Sequence, residues 1–379
     1  MDKWWITCAN QVEIYINLFF CSFFTILISM TTKEIFSTHL EKIQHSIDEA
    51  LPMNFDNSWQ NYSFGQLPES VKQRHIQNLI EPNKNLVDLG GKRWRPLLLI
   101  LCYERAANKF TNPLSLDIAY KLTPLVEFVH TASLIHDDIE DAADLRRGKP
   151  AAHITFGTDT AINSASWLYF EAPVCIDKLE LNEKTKLAFY QLYTNELRRL
   201  HLGQAMDIYW HREKDIFPTI EEYEAMVKSK TGTLAALAAQ IGYMAGGANR
   251  EQAFELGQIC ANIGIGFQII DDVQNLTIGN PGKKRGDDIV EGKKSLPVLL
   301  HIQAKPEDKT QLSAYMAQAA KEGIDSPAVE KCIALLETSG CIQKACQQGK
   351  KLIEENCKLL EDSPLIFELF NSMIPEAFK

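Results

Sequence analysis

The sequence lacks any CxxC pair among its nine cysteines, at 8, 21, 102, 175, 260, 332, 341, 346 and 357. That excludes the usual zinc-ribbon and thioredoxin spacings, and the odd, scattered count favours a reducing compartment, the cytoplasm. The chain has no basic excess either: 39 Lys and Arg stand against 49 Asp and Glu, a net charge of −10. A general nucleic-acid binder is therefore not expected. An anionic substrate is not excluded, because a metal ion can reverse the local field. No apolar run reaches the roughly 20 residues of a membrane span. The longest, Tyr15–Met30, has sixteen uncharged residues, with Lys3 as its one upstream cation. It reads either as a membrane anchor or as an extension upstream of a true start at Met30. The second reading is favoured, since no targeting pattern fits. Strand-like alternation, internal repeats and long flexible linkers are also missing.

What is present is helix after helix. Residues 33–51 carry apolar side chains at helical spacing, and residues 52–68 form a polar, turn-rich stretch. Further helices are expected over 71–80, from Arg95-Pro96 through 110, over 116–144, 181–212, 219–247 and 251–276, and again across 326–370. Pro96 falls in a first turn, where proline is tolerated. Several central segments are apolar almost all round, as buried helices are. One all-α domain is expected over residues 33–379, behind an apolar extension over 1–30.

Two acidic clusters stand out. On a helix Asp137 and Asp141 share a face, with Asp138 beside them. Three such charges repel without a counter-cation. Magnesium suits them: a hard ion with oxygen ligands, few of them from protein. Asp271, Asp272 and Asn275 repeat the spacing about 130 residues later, within an apolar run where unpaired carboxylates are costly. A single DDxxD is most often a solvated helix face, but two copies behind apolar helical runs argue otherwise. An EF-hand is excluded, since its glycine and terminal glutamate are missing.

Basic groups accompany the clusters. Gly90-Gly91-Lys92-Arg93-Trp94-Arg95-Pro96 places three cations on a turn that feeds a helix N-terminus, which favours an anion. Arg146-Arg147-Gly148 follows the first cluster. Lys230-Thr231-Gly232 and the run from Lys283 to Lys294 add more phosphate-type donors. His130 lies two turns before Asp137; alone it reads as a core histidine.

In this order, GGKRWRP, HTASLIHDDIEDAADLRRGKPAAH, KTG, FQIIDDVQN and GDDIVEGKKSLP resemble the trans-prenyltransferase (polyprenyl synthetase) family, from about Asp88 to Leu300. INSASWLYF, LHLGQAMDIYW and IEEYEAMVKSKTG look nearest to the geranylgeranyl diphosphate synthases. The resemblance implies an isoprenoid synthase fold, antiparallel helices around a deep cavity, in a homodimer. It implies magnesium on Asp137 and Asp141, with Asp138 in support, and on Asp271. It implies an allylic diphosphate on Arg146, Lys230, Thr231, Gln268, Lys284 and Lys293, and isopentenyl diphosphate on Lys92, Arg95, His130 and Arg147. Lys283 against Lys284 is a one-residue ambiguity. Asn275 departs from the commonest pattern, which has a third Asp there.

The implied reaction is head-to-tail condensation of the two diphosphates. Ala132 and Ser133, beside and one turn above Asp137, are small, where aromatic residues stop growth early in this family; that implies C20 or longer. Tyr169, Phe170 and His201 match a deeper floor in the geranylgeranyl synthases, though ordinary core packing explains the same residues. The alternatives are a longer-chain polyprenyl diphosphate synthase, a class I terpene cyclase, and a non-catalytic subunit.

Overall fold

The computed structural model describes residues 31–213, 215–279 and 284–378. The apolar segment before Thr31 and Lys283 lie outside them. The described residues divide after Lys42, and the features below belong to the unit that begins at Ile43.

The described residues are helical, with one two-stranded antiparallel ribbon that pairs Leu145–Arg146 with Lys149–Pro150. The expected fold class holds. The two acidic clusters ride on Pro124–Glu140 and Arg250–Thr277, called below the first and second acidic helices. Arg250–Thr277 is apolar and long enough to cross a membrane, but its apolar side chains fill the core. It packs against Cys341–Lys358 on one side and Thr233–Ala245 on another, while Thr233–Ala245 lies along Trp94–Ala107. That last contact is very close: a Cβ on Gly242 would sit 2.0 Å from the Leu99 carbonyl oxygen. Backbone approach of this kind needs glycine. The first acidic helix packs on Thr158–Glu171, which leans on Gln73–Asp88.

Local chemistry corrects several expected boundaries. The polar stretch 52–68 contains a helix, Asn57–Phe64. Asp56 caps it through the Trp59 N–H at 2.8 Å, and Trp59 is buried with its indole N–H on the Ala50 carbonyl. The expected single helix over 116–144 is broken: Leu116–Lys121 ends, and Pro124, which has no N–H to donate, starts the next. That helix ends at Glu140, and Ala142 turns with φ +51° into the ribbon. The 219–247 helix is interrupted by a wide π turn over Lys228–Gly232. The C-terminal region is three helices, Pro327–Thr338, Cys341–Lys358 and Pro364–Met373.

Candidate active site

The two acidic helices and Glu183–Arg212 border a cavity of about 1030 Å³. Asp137 enters it from the first acidic helix, Asp141 from the residue that caps the C-terminal end of that helix, and Asp271 from the second. Lys230, Thr231, Gln268, Arg146, Lys293, Arg95 and His130 line the same space.

Asp138 does not line the cavity. It is 1% exposed and accepts from Arg146 Nε at 2.8 Å and from Nη2. Its task is to aim Arg146, as a buried, charge-assisted pair does. Asp137 accepts from Gln204 Nε2 at 2.7 Å, and Gln204 also donates to Glu140.

Lys230 stands on the π turn, a distortion often found at functional sites. Its ammonium donates to Asp207 at 2.6 Å and lies 3.9 Å from Asp137. Burial alone would lower its pKa, but Asp207 and Asp137 outweigh that and raise it. Asp207 is buried too, yet His211 at 3.0 Å and Lys230 hold its carboxyl below the usual range. The backbone reaches this arrangement because Gly203 lets Glu183–Arg212 touch the turn: a Cβ there would lie 2.4 Å from the Lys230 nitrogen. Thr231 donates to Gln268, which donates to Asp272 at 2.9 Å, and Tyr223 donates to the other Asp272 oxygen. Burial, then the Asp288 carboxylate, push Asp272 up to about 7.

A cationic corner lies at Arg95 and His130, whose Nη1 and Nε2 are 3.3 Å apart. Burial is the first cause that lowers Arg95 to about 10, with Arg147 adding and Glu127 opposing. Burial and then Arg95, Arg147, Arg146 and Arg93 keep the His130 imidazole well below its ordinary value, so it is neutral at pH 7. Arg93 shapes the corner from beneath. It has φ +46°, pairs in the interior with Glu127, and donates to the Val87 carbonyl at 2.6 Å.

Three more expected residues, besides Asp138, stay off the cavity. Lys92 is exposed on the glycine turn. Arg147 is exposed, with Nη1 3.4 Å from the Leu86 carbonyl, and contributes its field rather than a wall. Lys284 is exposed and 3.4 Å from Asp325, so its charge is directed to that carboxylate. Ala132 is fully buried, while Ser133 lines the cavity.

At the far end Tyr169 stacks on His136, with centroids 5.7 Å apart, and meets His201 edge-on at 5.2 Å. Phe170 borders the same space but is 77% exposed. Tyr193 donates to the Tyr169 carbonyl and Tyr190 to that of Pro173. Glu171, Ala172, Val174 and Cys175 line a second cavity of about 190 Å³, so residues 169–175 form a partition.

Sequence reasoning missed Gln204 and Asp207, and it gave no individual role to Glu140 within the first cluster or to Lys294 within the basic run; all four line the cavity. A signal existed for two of them. Gln204 and Asp207 are spaced i, i+3 within LHLGQAMDIYW, which places both on one helix face.

Comparison with known proteins agrees with this geometry. The sequence profile of the family described as polyprenyl synthetase matches residues 76–335. A geranylgeranyl pyrophosphate synthase of Neocamarosporium betae is 37% identical over 255 residues, 67% of this chain and 68% of that protein. One of Apiospora sacchari is 34% identical over 302 residues, 78% and 83% of the two chains. The crystal structure of geranylgeranyl pyrophosphate synthetase from Pyrococcus horikoshii Ot3 superposes with a TM-score of 0.75 at 27% identity, covering 91% of this chain and 99% of that one. The chain belongs to the polyprenyl synthetase family and is a prenyltransferase.

Proposed function

We propose that the protein is a magnesium-dependent geranylgeranyl diphosphate synthase, which joins isopentenyl diphosphate to an allylic diphosphate and stops at C20. The observation that carries this reading is one cavity lined by carboxylates from both acidic clusters, Asp137, Asp141 and Asp271, together with the cations Lys230, Arg146, Lys293 and Arg95. The printed names of the relatives support the C20 product.

The donor set fits magnesium. Asp137, Asp141 and Asp271 offer hard oxygens, and among the described residues no three His, Cys, Asp or Glu side chains close a metal-ligating group by themselves. Such a partial shell suits an ion that fills its octahedron with water and substrate phosphate. When bound, it supplies Lewis-acid neutralisation of the diphosphate.

The residues then act as follows. Lys230, Arg146 and Lys293 hold the allylic diphosphate and stabilise charge as its C1–O bond breaks and the electron pair passes to the leaving oxygen. Arg95 and His130 hold isopentenyl diphosphate from the cavity wall, with its terminal alkene carbon toward C1, while Arg147 adds its field and Lys92 stands off the wall on the glycine turn. That carbon bonds to C1, the positive charge moves to C3, and loss of a C2 proton to the departing diphosphate restores an alkene. The Thr231 and Gln268 side chains present dipoles to the transient cation. Apolar cavity walls at Leu134, Leu197 and Leu234 exclude water that would quench it. The tail grows past Ser133 toward Tyr169.

A second copy of the chain is proposed to cover the exposed apolar residues Ile162, Phe170, Leu187 and Leu202, giving a homodimer. Association with a membrane through residues 15–30 is a separate proposal, tested by flotation with liposomes of the full chain against one starting at Met30.

The functional reading is tested with purified protein, magnesium, isopentenyl diphosphate and C5, C10 or C15 allylic diphosphate. Release of diphosphate and a linear C20 product are expected, with Asp137→Ala slowed at least about 100-fold. A product longer than C20 rejects the length assignment. No turnover, with Asp137→Ala indistinguishable from wild type, rejects the enzyme reading in favour of a scaffold.

A further inference from the structure

Asn275 stands where the third carboxylate of the repeated cluster would fall, and the structure gives it work away from the cavity. It is fully buried and does not line that space. Its backbone carbonyl accepts from the Gly286 N–H at 2.9 Å, and its side-chain Oδ1 accepts from the Asp288 N–H at 3.2 Å. Asp288 passes the connection on. Its carboxylate accepts from the Lys293 ammonium at 3.2 Å, beside Glu291 at 2.6 Å, and its backbone carbonyl accepts from the Lys293 N–H at 2.9 Å. Gly286 and Gly292, with φ +88° and +80°, turn the chain at either end of the short Asp287–Glu291 helix between them. Lys293 then reaches the cavity wall.

We infer that Asn275 is a positioning residue, which fixes Lys293 against the cavity through Asp288 and takes no part in holding magnesium. Asparagine suits that task. It offers the acceptor the Asp288 N–H needs without adding another negative charge beside Asp271, Asp272 and Asp288. An aspartate would accept the same hydrogen bond, so the commoner residue at this position can share the task. The inference rests on the reading of Lys293 as a ligand of the allylic diphosphate.

The test compares the full-length wild type with Asn275→Ala, Asn275→Asp, Asp288→Asn and Lys293→Ala. Three quantities are measured: amide hydrogen exchange across 284–294, KM for the allylic diphosphate, and the half-saturating magnesium concentration. Asn275→Ala should speed exchange in that segment and raise the allylic KM about tenfold, as loss of one buried hydrogen bond does. Its half-saturating magnesium should not move. Asn275→Asp keeps the acceptor but adds a charge beside Asp272 and Asp288, so exchange and KM should rise less than in Asn275→Ala. Asp288→Asn should raise the KM with exchange unchanged, and it decides the matter if Asn275→Ala does not fold. Unchanged exchange in Asn275→Ala, or a shifted magnesium requirement at constant KM, overturns the inference. Faster exchange with an unaltered KM in both Asn275→Ala and Lys293→Ala would instead overturn the role of Lys293 and leave the anchoring supported.

Discussion

Gly203→Ala is a one-carbon perturbation with a large expected effect. The added Cβ would meet the Lys230 backbone nitrogen at 2.4 Å and both Ser229 C and Cβ at 2.8 Å. Ordinary contact begins near 3.4 Å, so the π turn and the Glu183–Arg212 helix must separate by about 1 Å. The neighbours are backbone and a short side chain, which cannot swing aside. Overpacking of this kind costs roughly 1–3 kcal/mol. At roughly 2 cal/mol/K per residue of unfolding entropy, a chain this long loses on the order of 1–2 °C in Tm for each kcal/mol. The functional cost is larger. Lys230 is bonded to Asp207 and sits 3.9 Å from Asp137, so the shift moves the ammonium proposed to hold the allylic diphosphate relative to the acidic cluster. A misplacement of about 1 Å at a reacting centre costs roughly 100-fold in rate. Steady-state kinetics with a C15 allylic diphosphate, run beside a thermal melt, should show kcat/KM down by about that factor while Tm falls only a few degrees. Wild-type kcat/KM and Tm together would refute the close-approach argument. A collapse of Tm without a folded variant would show that the contact serves the fold first.

Tyr169→Ala should lengthen the product by at least one isoprene unit, read by chromatography. Phe170→Ala should do less, because Phe170 is mostly exposed while Tyr169 is wedged between His136 and His201; an unchanged product from the double variant rejects the floor. Glu171→Gln should stabilise the protein at pH 8 and leave it unaltered at pH 4. Burial first pushes the Glu171 carboxyl up to about 7 from 4.5, so between these values the native state binds more protons and stability falls as pH rises. The gain is roughly 3 kcal/mol at most, since Ser63 already donates to one oxygen and the amide keeps that acceptor. Denaturant melts at the two pH values check it, and equal stability of both proteins at pH 8 refutes it.

Much of this site was legible because its residues announce their own cost. Asp137, Asp138 and Asp141 within five positions are unstable neighbours without a cation, and arginines after glycines at a helix start are an anion site in waiting. Helix spacing placed them on faces. The sequence did not reveal which of the clustered charges turns inward on its neighbour. Asp138 reads like Asp137, yet one is sealed against Arg146 and the other faces the cavity. Lys284 and Lys293 read alike, but only the structure shows one drawn to Asp325 and the other to Glu291 and Asp288. Long-range pairing decides such cases, and it leaves no periodic trace. The same holds for the π turn at Lys230, because an inserted residue in a helix is set by what packs against it. Asp56 and Pro124 did carry local signals, a cap and a missing donor, that fix two boundaries the apolar pattern alone misplaced.

The partition at residues 169–175 has an evolutionary consequence. Tyr190 and Tyr193 grip it by main-chain carbonyls, at Pro173 and Tyr169, and not by the side chains that face the cavity. Every amino acid carries the same carbonyl. Substitutions at 169 and 170 can therefore accumulate while the wall keeps its place. Where the wall serves as the proposed floor, chain length becomes a separable trait, open to drift or selection in small steps, in a lineage whose catalytic machinery stays unchanged.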